Sequence, residues 1–252
     1  AANPAANFTG SVFAGTLAAV FFSSLLAALS GAVTLRLKTN VFITGLAVNL
    51  FAQGFTVALS RRMFGTRGVV AVRDLTPPAE ITLPVIQDIP VLGALLSGHT
   101  VFVYASWLCV IAAWIALYKT PFGFRLRAAG SRAEALASLG IRPERYQFTA
   151  FVLSGVFCGA GGAILSLNLG VFVPNMSAGR GWIALVIIFL AGRKPHFLVP
   201  AAFLAGLAES FSNHAQGIFS VPADFILALP YLFTLAGMIG VSALRSRKDR
   251  VL

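Results

Sequence analysis

Apolar runs of about twenty residues recur along the chain and are separated by short polar segments. In runs such as LAAVFFSSLLAAL and WIALVIIFLAG the apolar residues follow one another without the alternation typical of a half-buried β-strand. A helix rises about 1.5 Å per residue, so about twenty residues cross a hydrocarbon core about 30 Å thick. The pattern therefore predicts an all-α fold, a polytopic membrane helical bundle.

The pattern predicts about seven crossings, one of which is short. In that crossing the residues PNMSAGRG precede an apolar part of only about eleven residues. We therefore expect a discontinuous or re-entrant helix, whose irregular backbone is buried in protein or lines a wet cavity. The predicted crossings are Gly15–Leu35, Asn40–Leu59, Val101–Leu117, Phe148–Leu169, the short Gly181–Ala191, Leu198–Ser212 and Phe225–Leu244.

Composition agrees with a membrane protein and argues against a soluble domain. The 252 residues are 58% hydrophobic and 11% charged, and the mean hydropathy is +0.85. Soluble domains carry about 25% charged residues. The formal charge of +11 is explained by loop basicity rather than by nucleic-acid binding. The two cysteines, Cys109 and Cys158, lie in apolar runs and are expected to be ordinary core residues.

The positions of the basic residues predict the orientation. With seven crossings and a cytoplasmic C-terminus, fourteen of the nineteen basic residues fall on the cytoplasmic side. The remaining five lie mostly in one long external segment, where charge has less influence on topology. We expect a single transmembrane domain over residues 1–252, with an external loop at 60–100, a cytoplasmic loop at 119–147 and a cytoplasmic tail at 245–252.

The two long loops differ in character. The external loop contains four prolines, so we expect irregular structure and short helices along the membrane surface. The cytoplasmic loop contains SRAEALASLGI, which predicts a short helix with Ser131 as N-cap, Glu134 in a capping box and Gly140 as the C′ residue. A folded helix within a cytoplasmic loop is typical of a docking element.

The cytoplasmic loop and the segment after it resemble a known family. TPFGFRLRAAGSRAEALASLGIRPERYQFTAFVLSG and GGAILSLNLGVFVPNMSAGRGWIAL are similar to ABC-importer permeases of the branched-chain amino acid and sugar superfamily, closest to the simple-sugar and nucleoside branch. The chain departs from the family pattern at Arg132 and Ala133, where an Asn-Pro pair is common. The helix that precedes Ala1 in such permeases is missing, so we expect a trimmed N-terminus.

The resemblance implies a coupling helix that transmits movement from a separate ATPase. An amphipathic helix of this kind seats in a groove of its partner, with neighbouring arginines pairing to acidic groups. The alternative is a surface helix that arginines anchor to anionic lipid headgroups. The residues implied for coupling are Gly130, Ser131, Glu134, Ala135, Leu139, Gly140 and Ile141.

Small residues crowd the fourth predicted crossing and its end. Gly155 and Gly159 are spaced to lie on one helix face, which allows close approach to a neighbouring helix. Their function is then packing. The alternative is that they permit helices to slide during alternating access.

Polar residues inside apolar runs are the candidates for a substrate pathway, because an unpaired amide or acid in hydrocarbon costs several kcal/mol. Amides suit sugars and nucleosides, since they both donate and accept hydrogen bonds. The alternative for each residue is a hydrogen bond between helices. Glu209 is a candidate proton-relay carboxylate; the alternatives are that it is hydrogen-bonded, pairs with Arg180 or reaches the external interface. The candidates are Asn49, Gln53, Asn168, Asn175, Ser177, Glu209 and Asn213.

No catalytic or metal-binding pattern is present, so we expect a transport subunit and not an enzyme. The chain has no GxxxxGK[ST], HExxH or GxSxG motif, and no metal-ligand spacing of His, Cys and carboxylates. The first hypothesis is the permease of an ATP-driven importer for a nucleoside or simple sugar in the bacterial cytoplasmic membrane. The second is a proton-coupled secondary transporter that uses Glu209.

The resemblance also implies the partners. ATP and Mg²⁺ are expected on separate cytoplasmic ATP-binding subunits, with no cofactor in this chain. The other expected partners are a second permease subunit in a heterodimer, an external substrate-binding protein and the lipid bilayer, without nucleic acid.

Overall fold

The computed structural model describes residues 12–65, 68–71, 80–81, 98–177, 180–192 and 194–218. In this part of the chain, eight helices are joined by loops and by four strands of two residues each. The elements are α1 (Val12–Arg36), α2 (Val41–Phe64), β1 (Val70–Ala71), β2 (Glu80–Ile81), β3 (His99–Thr100), α3 (Val101–Lys119), α4 (Pro121–Ser131), α5 (Ala133–Ser138), α6 (Pro143–Leu169), β4 (Val171–Phe172), α7 (Arg180–Leu190) and α8 (Pro195–Ile218).

The sequence fixes several helix ends by side-chain and glycine caps. Asn40 Oδ1 accepts the N–H of Phe42 at 2.8 Å, so it satisfies a free donor at the start of α2. At its other end Gly65 has φ +69° and donates to the carbonyl of Arg61. Gly170 ends α6 in the same left-handed conformation, with φ +63°. Glycine adopts this conformation without the steric penalty of a Cβ.

Four of the helices are long and apolar enough to cross a membrane, by length and composition: α1, α2, α3 and α6. They correspond to the first four predicted crossings. α6 begins at Pro143, five residues before the predicted boundary, because proline suits the first helical turn and Glu144 follows it. The polytopic, helical class is confirmed, whereas the count of about seven crossings stays a prediction.

The remaining predicted crossings have different outcomes. The short one corresponds to α7, whose eleven residues span about 16 Å, too little for a bilayer core. The sixth coincides with α8, a helix of 24 residues that contains Pro200. The seventh, Phe225–Leu244, lies outside the described residues.

The strands were not anticipated from the pattern. β1 pairs antiparallel with β4, and β2 pairs antiparallel with β3. Both pairings involve the predicted external loop at 60–100, most of which lies outside the described residues. The described parts of that loop form the end of α2 and short strands.

Helices α1 and α6 pack on each other, with glycines at their contact. Gly155 and Gly159 are buried on α6. A Cβ added at Gly159 would lie 2.7 Å from both the Ala19 carbonyl oxygen and the Val20 Cα, and one at Gly155 would lie 2.8 Å from the Ser24 Cα. The two backbones therefore approach closely only because these positions carry no side chain. The packing interpretation of the Gly155 and Gly159 spacing is confirmed.

Contacts divide the chain into two compact units. The first comprises Ala1–Cys109 and Ile115–Met176, and so contains α1, α2, α4, α5 and α6. The second comprises Val110–Trp114 and Ser177–Leu252, and contains α7 and α8, which pack on each other.

Candidate functional site

The predicted cytoplasmic loop, residues 119–147, folds into α4, α5 and the first turn of α6. Thr120 starts α4: its Oγ1 accepts the N–H of Gly123 at 3.1 Å, and Pro121 follows at the first helical position. Gly123 is buried against the end of α3, so close that a Cβ there would meet the backbone of Ala116 and Leu117. The chain therefore turns sharply from α3 into α4.

Two buried residues hold this loop together. Ala129 on α4 is 2% exposed and Leu136 on α5 is 5% exposed. The Gln147 side chain on α6 donates to the carbonyl of Ala129 at 2.9 Å. The three helices pack on one another through these contacts, so the loop is an organised unit and not a spacer.

Aromatic and basic side chains add contacts around α4. The guanidinium of Arg127 lies 4.3 Å from the ring centre of Tyr118 and 4.9 Å from that of Phe124. Such cation–π contacts contribute about 0.5–1 kcal/mol at exposed sites. Arg125 Nη1 donates to the hydroxyl of Tyr146 at 3.3 Å, which connects α4 to α6. These contacts fix the position of α4 against its neighbours.

The C-terminal end of α5 has the predicted glycine stop. Gly140 has φ +77°, and its N–H donates to the Ala137 carbonyl at 2.9 Å. The N–H of Ile141 donates to the Leu136 carbonyl at 3.2 Å. These two bonds form a Schellman motif, in which the left-handed residue at C′ is usually glycine. The prediction for Gly140 is confirmed.

The prediction for the N-terminal end of α5 is wrong. Ser131 is the last residue of α4, and its hydroxyl donates to the Arg127 carbonyl at 3.0 Å. The N-cap of α5 is Arg132, which makes no side-chain capping bond, so there is no capping box with Glu134. The physical reason is that α4 continues through Ser131, whose hydroxyl bonds back within that helix.

The residues implied for coupling lie together on the surface of this loop. Leu139 is 74% exposed, the largest exposed fraction among the described large apolar residues. Ile141 is half-buried, and the other members of the set are exposed: Gly130, Ser131, Glu134, Ala135 and Gly140. We call this set the coupling surface. It presents an exposed leucine and small residues beside Glu134. The buried side chain of Leu136 holds α5 beneath this surface.

The candidate pathway residues fall into both compact units. Asn49 and Gln53 are exposed and one turn apart on α2, Asn168 is exposed near the end of α6, and Asn175 is exposed in the turn that follows β4. The second unit contains Ser177, which is exposed, together with Glu209 and Asn213 on α8. The convergence of these residues on one pathway stays a prediction.

The backbone before α7 is irregular, as expected for a broken helix. Asn175 has φ +62°, one of two non-glycine residues with positive φ in the described part of the chain. Asparagine tolerates this conformation better than most residues. The N–H of Arg180 donates to the Ser177 carbonyl at 2.7 Å, and α7 begins there. The predicted start of the half-helix near 177–181 is confirmed.

Glu209 pairs with Arg180. The distance between Arg180 Nη2 and Glu209 Oε1 is 3.1 Å, and the two side chains are 48% and 40% exposed. Arg180 lies at the N-terminal end of α7, where the helix dipole is unfavourable for a cation, so the carboxylate offsets a local electrostatic cost. The predicted pairing of Glu209 with Arg180 is confirmed.

Among the described residues, no group of three or more His, Cys, Asp and Glu side chains is placed to hold a metal ion. The organised features of the first unit are the coupling surface and the exposed polar positions on apolar helices. Those of the second are a short helix and the ion pair at its start. Together with four helices that are long and apolar enough to cross a membrane, they indicate a multi-pass membrane protein.

Comparison with known proteins identifies the family. Residues 2–242 match the model of the branched-chain amino acid transport system permease component, and the chain belongs to this family. The resemblance from the sequence is therefore confirmed, as is the expected class of a transport subunit. Membership implies that the chain works with ATP-binding subunits and a substrate-binding protein.

Curated relatives are named as permeases of ABC transporters. The chain is 30% identical to the nucleoside ABC transporter permease protein NupC of Lactococcus lactis, over 89% of this chain and 70% of that protein. It is 27% identical to the guanosine ABC transporter permease protein NupQ of Bacillus subtilis, over 89% of this chain and 71% of that protein. It is 28% identical to the putative glucose permease TsgC13 of Haloferax volcanii, over 83% and 63% of the two chains. No solved structure matches the chain significantly.

Sequence reasoning missed helix α4 and its contacts. The signal was present, because Thr120 followed by Pro121 is typical of an N-cap and a first helical turn. The hydrogen bond from Gln147 to Ala129 had no signal in the sequence, since it joins residues 18 positions apart through tertiary packing. These contacts hold the coupling surface in place.

Proposed function

We propose that the chain is the transmembrane permease subunit of an ATP-driven importer that carries a nucleoside or a simple sugar across the bacterial cytoplasmic membrane. The family match supports the permease class, and the names of three relatives support the substrate range. Exposed amides on apolar helices suit hydroxyl-rich, neutral substrates, because an amide both donates and accepts hydrogen bonds.

The observation that carries the mechanism is the geometry of the coupling surface. α5 has six residues, too few for a stable isolated helix, yet it is held at one end by a Schellman motif and beneath by Leu136. Leu139 remains 74% exposed beside this anchor. An exposed apolar side chain on a rigid base suits insertion into a groove of a partner protein. We place the ATPase at this surface.

In this mechanism ATP and Mg²⁺ bind to the partner ATPase, and the permease carries no cofactor. The loop at 119–147 and the C-terminal tail face the cytoplasm, as the distribution of basic residues predicts. Closure of the ATPase moves α5, and the connected helices α4 and α6 transmit that movement. The second permease subunit completes the pathway in a heterodimer, and an external binding protein delivers the substrate.

The pathway in this proposal is lined by polar residues of several segments. Asn49 and Gln53 contribute from α2, while Asn168, Asn175 and Ser177 contribute from the end of α6 and the turn before α7. Glu209 and Asn213 contribute from α8. The N-terminal amides of α7 favour ligand oxygens because they carry the positive end of the helix dipole.

The test is transport and ATP hydrolysis by the complete complex in proteoliposomes, with guanosine and glucose as substrates. Leu139→Gln is the test variant, and Leu37→Gln is the matched control because Leu37 is 69% exposed and lies outside the coupling surface. We expect Leu139→Gln to abolish substrate-stimulated ATP hydrolysis and uptake while the permease stays inserted. Normal stimulation in Leu139→Gln, or equal loss in both variants, contradicts the coupling role.

A further inference from the structure

An open cleft lies between the C-terminal end of α1 and the N-terminal end of α6. Its volume is about 340 Å³. Its lining combines an apolar wall with charged groups: Ala32, Leu35, Arg36, Glu144, Arg145 and Phe148. Both helices are long and apolar enough to cross a membrane, so the cleft lies at the end of two spans, where hydrocarbon gives way to water.

The charged residues of the cleft favour binding of an anion, because positive groups outnumber negative ones. Arg36 and Arg145 supply two guanidinium groups, against the single carboxylate of Glu144. Within the part of the chain that the structure describes, neither arginine side chain makes an ion pair. Guanidinium groups bind phosphate through paired, charge-assisted hydrogen bonds, so the two arginines suit a phosphate group.

The apolar wall of the cleft favours a ligand that carries a hydrocarbon chain. Leu35 and Phe148 line the same cleft, and Phe148 is 38% exposed. A free phosphate would leave this wall in contact with water, whereas an acyl chain would cover it. Basic pockets between membrane helices on the cytoplasmic side are typical sites for anionic lipid headgroups.

We propose that this cleft binds an anionic phospholipid, with the phosphate between Arg36 and Arg145 and an acyl chain along Leu35 and Phe148. The site lies where the α1–α6 pair meets the C-terminal end of the predicted cytoplasmic loop, residues 119–147. A bound lipid therefore stabilises the end of α6 against which α4 and α5 pack. The inference does not depend on which substrate the transporter carries.

The test is native mass spectrometry of the purified chain in detergent, titrated with phosphatidylglycerol and, separately, with phosphatidylcholine. Arg36→Gln with Arg145→Gln is the test variant. Arg61→Gln with Arg62→Gln is the matched control, because those two arginines are exposed at the end of α2 and do not line the cleft. Each lost arginine is expected to weaken phosphatidylglycerol binding about fivefold, equivalent to about 1 kcal/mol each.

A variant that is expected to bind lipid more tightly serves as a control for misfolding, because a misfolded chain would lose binding. Glu144→Gln deletes the only carboxylate in the lining, so phosphatidylglycerol is expected to bind several-fold more tightly. Phosphatidylcholine has a cationic choline group beside its phosphate, so it is expected to bind the wild-type chain more weakly than phosphatidylglycerol does. The proposal is overturned if the wild-type chain binds both lipids equally, if the control variant loses as much binding as the test variant, or if Glu144→Gln weakens binding.

An excess of inorganic phosphate separates a lipid site from a site for free phosphate. Because the acyl chain contributes to binding, phosphate alone is expected to leave the bound phosphatidylglycerol in place. Displacement of phosphatidylglycerol by this excess of phosphate overturns the lipid assignment. The lipid site and the coupling function are tested separately. Loss of lipid binding with intact transport in the Arg36→Gln and Arg145→Gln variant, or loss of transport with intact lipid binding in Leu139→Gln, distinguishes the two.

Discussion

Helices α6 and α2 are both apolar and long enough to span a membrane, but they use glycine in opposite ways. In α6, 17% of the most apolar stretch of 18 residues is buried, and Gly155 and Gly159 contact the backbone of α1. In α2, none of the most apolar stretch of 18 residues is buried, and a Cβ at Gly45 or Gly54 would meet nothing within 4 Å. Glycine content therefore does not itself predict helix packing.

The spacing of the glycines explains the difference. Residues four apart lie on nearly the same helix face, so Gly155 and Gly159 form one continuous groove. Gly45 and Gly54 are nine apart, which places them on opposite faces at about 100° per residue. The surface of α2 instead exposes large side chains such as Phe51 and Phe55, stacked with ring centres 5.5 Å apart, and the amides Asn49 and Gln53. The α1–α6 pair provides internal packing, whereas α2 leaves its faces for lipid, the pathway or another subunit.

The largest expected effect comes from filling the groove on α6. Gly159→Leu places a side chain against backbone atoms of α1 that lie 2.7 Å from the added Cβ, so the helices must separate. We expect the free energy of unfolding to fall by about 3 kcal/mol, the upper end for overpacking. The readout is the thermal unfolding of the detergent-solubilised protein.

The matched control for this variant is Gly162→Ala on the same helix. Nothing lies within 4 Å of a Cβ at that position, and alanine favours helix by about 1 kcal/mol over glycine. We expect unchanged or slightly higher stability. If Gly159→Leu unfolds at the same temperature as the wild type, the close α1–α6 packing is wrong.

A similar contrast between buried and exposed positions occurs within the predicted cytoplasmic loop, residues 119–147. Leu136→Ala removes a side chain that is 5% exposed, and we expect a loss of about 2 kcal/mol, the low end for a core leucine because the surface loop can relax. Leu139→Ala, at a 74% exposed position, should change stability little. Hydrogen exchange of the amides in α5 measures both, and equal protection in the two variants would refute the anchor role of Leu136.

A smaller effect is expected at the end of α5. Gly140→Ala forces a residue with a Cβ into φ +77°, which costs about 1 kcal/mol. Gly130→Ala is the control, since Gly130 lies in α4 with open space around it and no positive φ. Hydrogen exchange should show faster opening of α5 only in Gly140→Ala. Equal exchange in both variants would mean that the Schellman motif does not hold the helix.

The smallest effect concerns the exposed amides of α2. In the proposed pathway Asn49 makes one neutral hydrogen bond to substrate, worth about 0.5–1.5 kcal/mol, so we expect Asn49→Ala to lower uptake or affinity about two- to tenfold. Because Asn49 is exposed, stability should not fall. Asn175→Gly is the companion variant, since glycine keeps the left-handed conformation that alanine would strain. Reduced thermal stability with normal transport in both variants would assign these amides to packing.

Local signals explain what the sequence predicts correctly. The spacing of Gly155 and Gly159 and the glycine after α5 act over a few residues, so their consequences follow from helix geometry alone. Ser131 was misassigned because a serine before a helix and a serine at the end of the previous helix look alike in sequence. The structure distinguishes the two cases, because α4 continues through Ser131 and the Ser131 hydroxyl donates to the Arg127 carbonyl.

Long-range features had no such signal. A strand of two residues such as β1 has no periodicity, so its pairing with β4 is invisible in the pattern. The cleft between Arg36 and Arg145 joins residues more than a hundred positions apart. The candidate pathway residues lie on several separate elements, so their convergence does not follow from the local sequence pattern.

The most direct test of the central claim, that the coupling surface docks on the ATPase, is site-specific photo-crosslinking in the complete complex. A photoreactive residue replaces Leu139 in one variant and Leu169 in another. Leu169 is also an exposed leucine, at 54%, but lies at the opposite end of α6. The account predicts a crosslink to the ATPase from position 139 and none from position 169. No crosslink from position 139 in an active complex, or equal crosslinking from both positions, would contradict it.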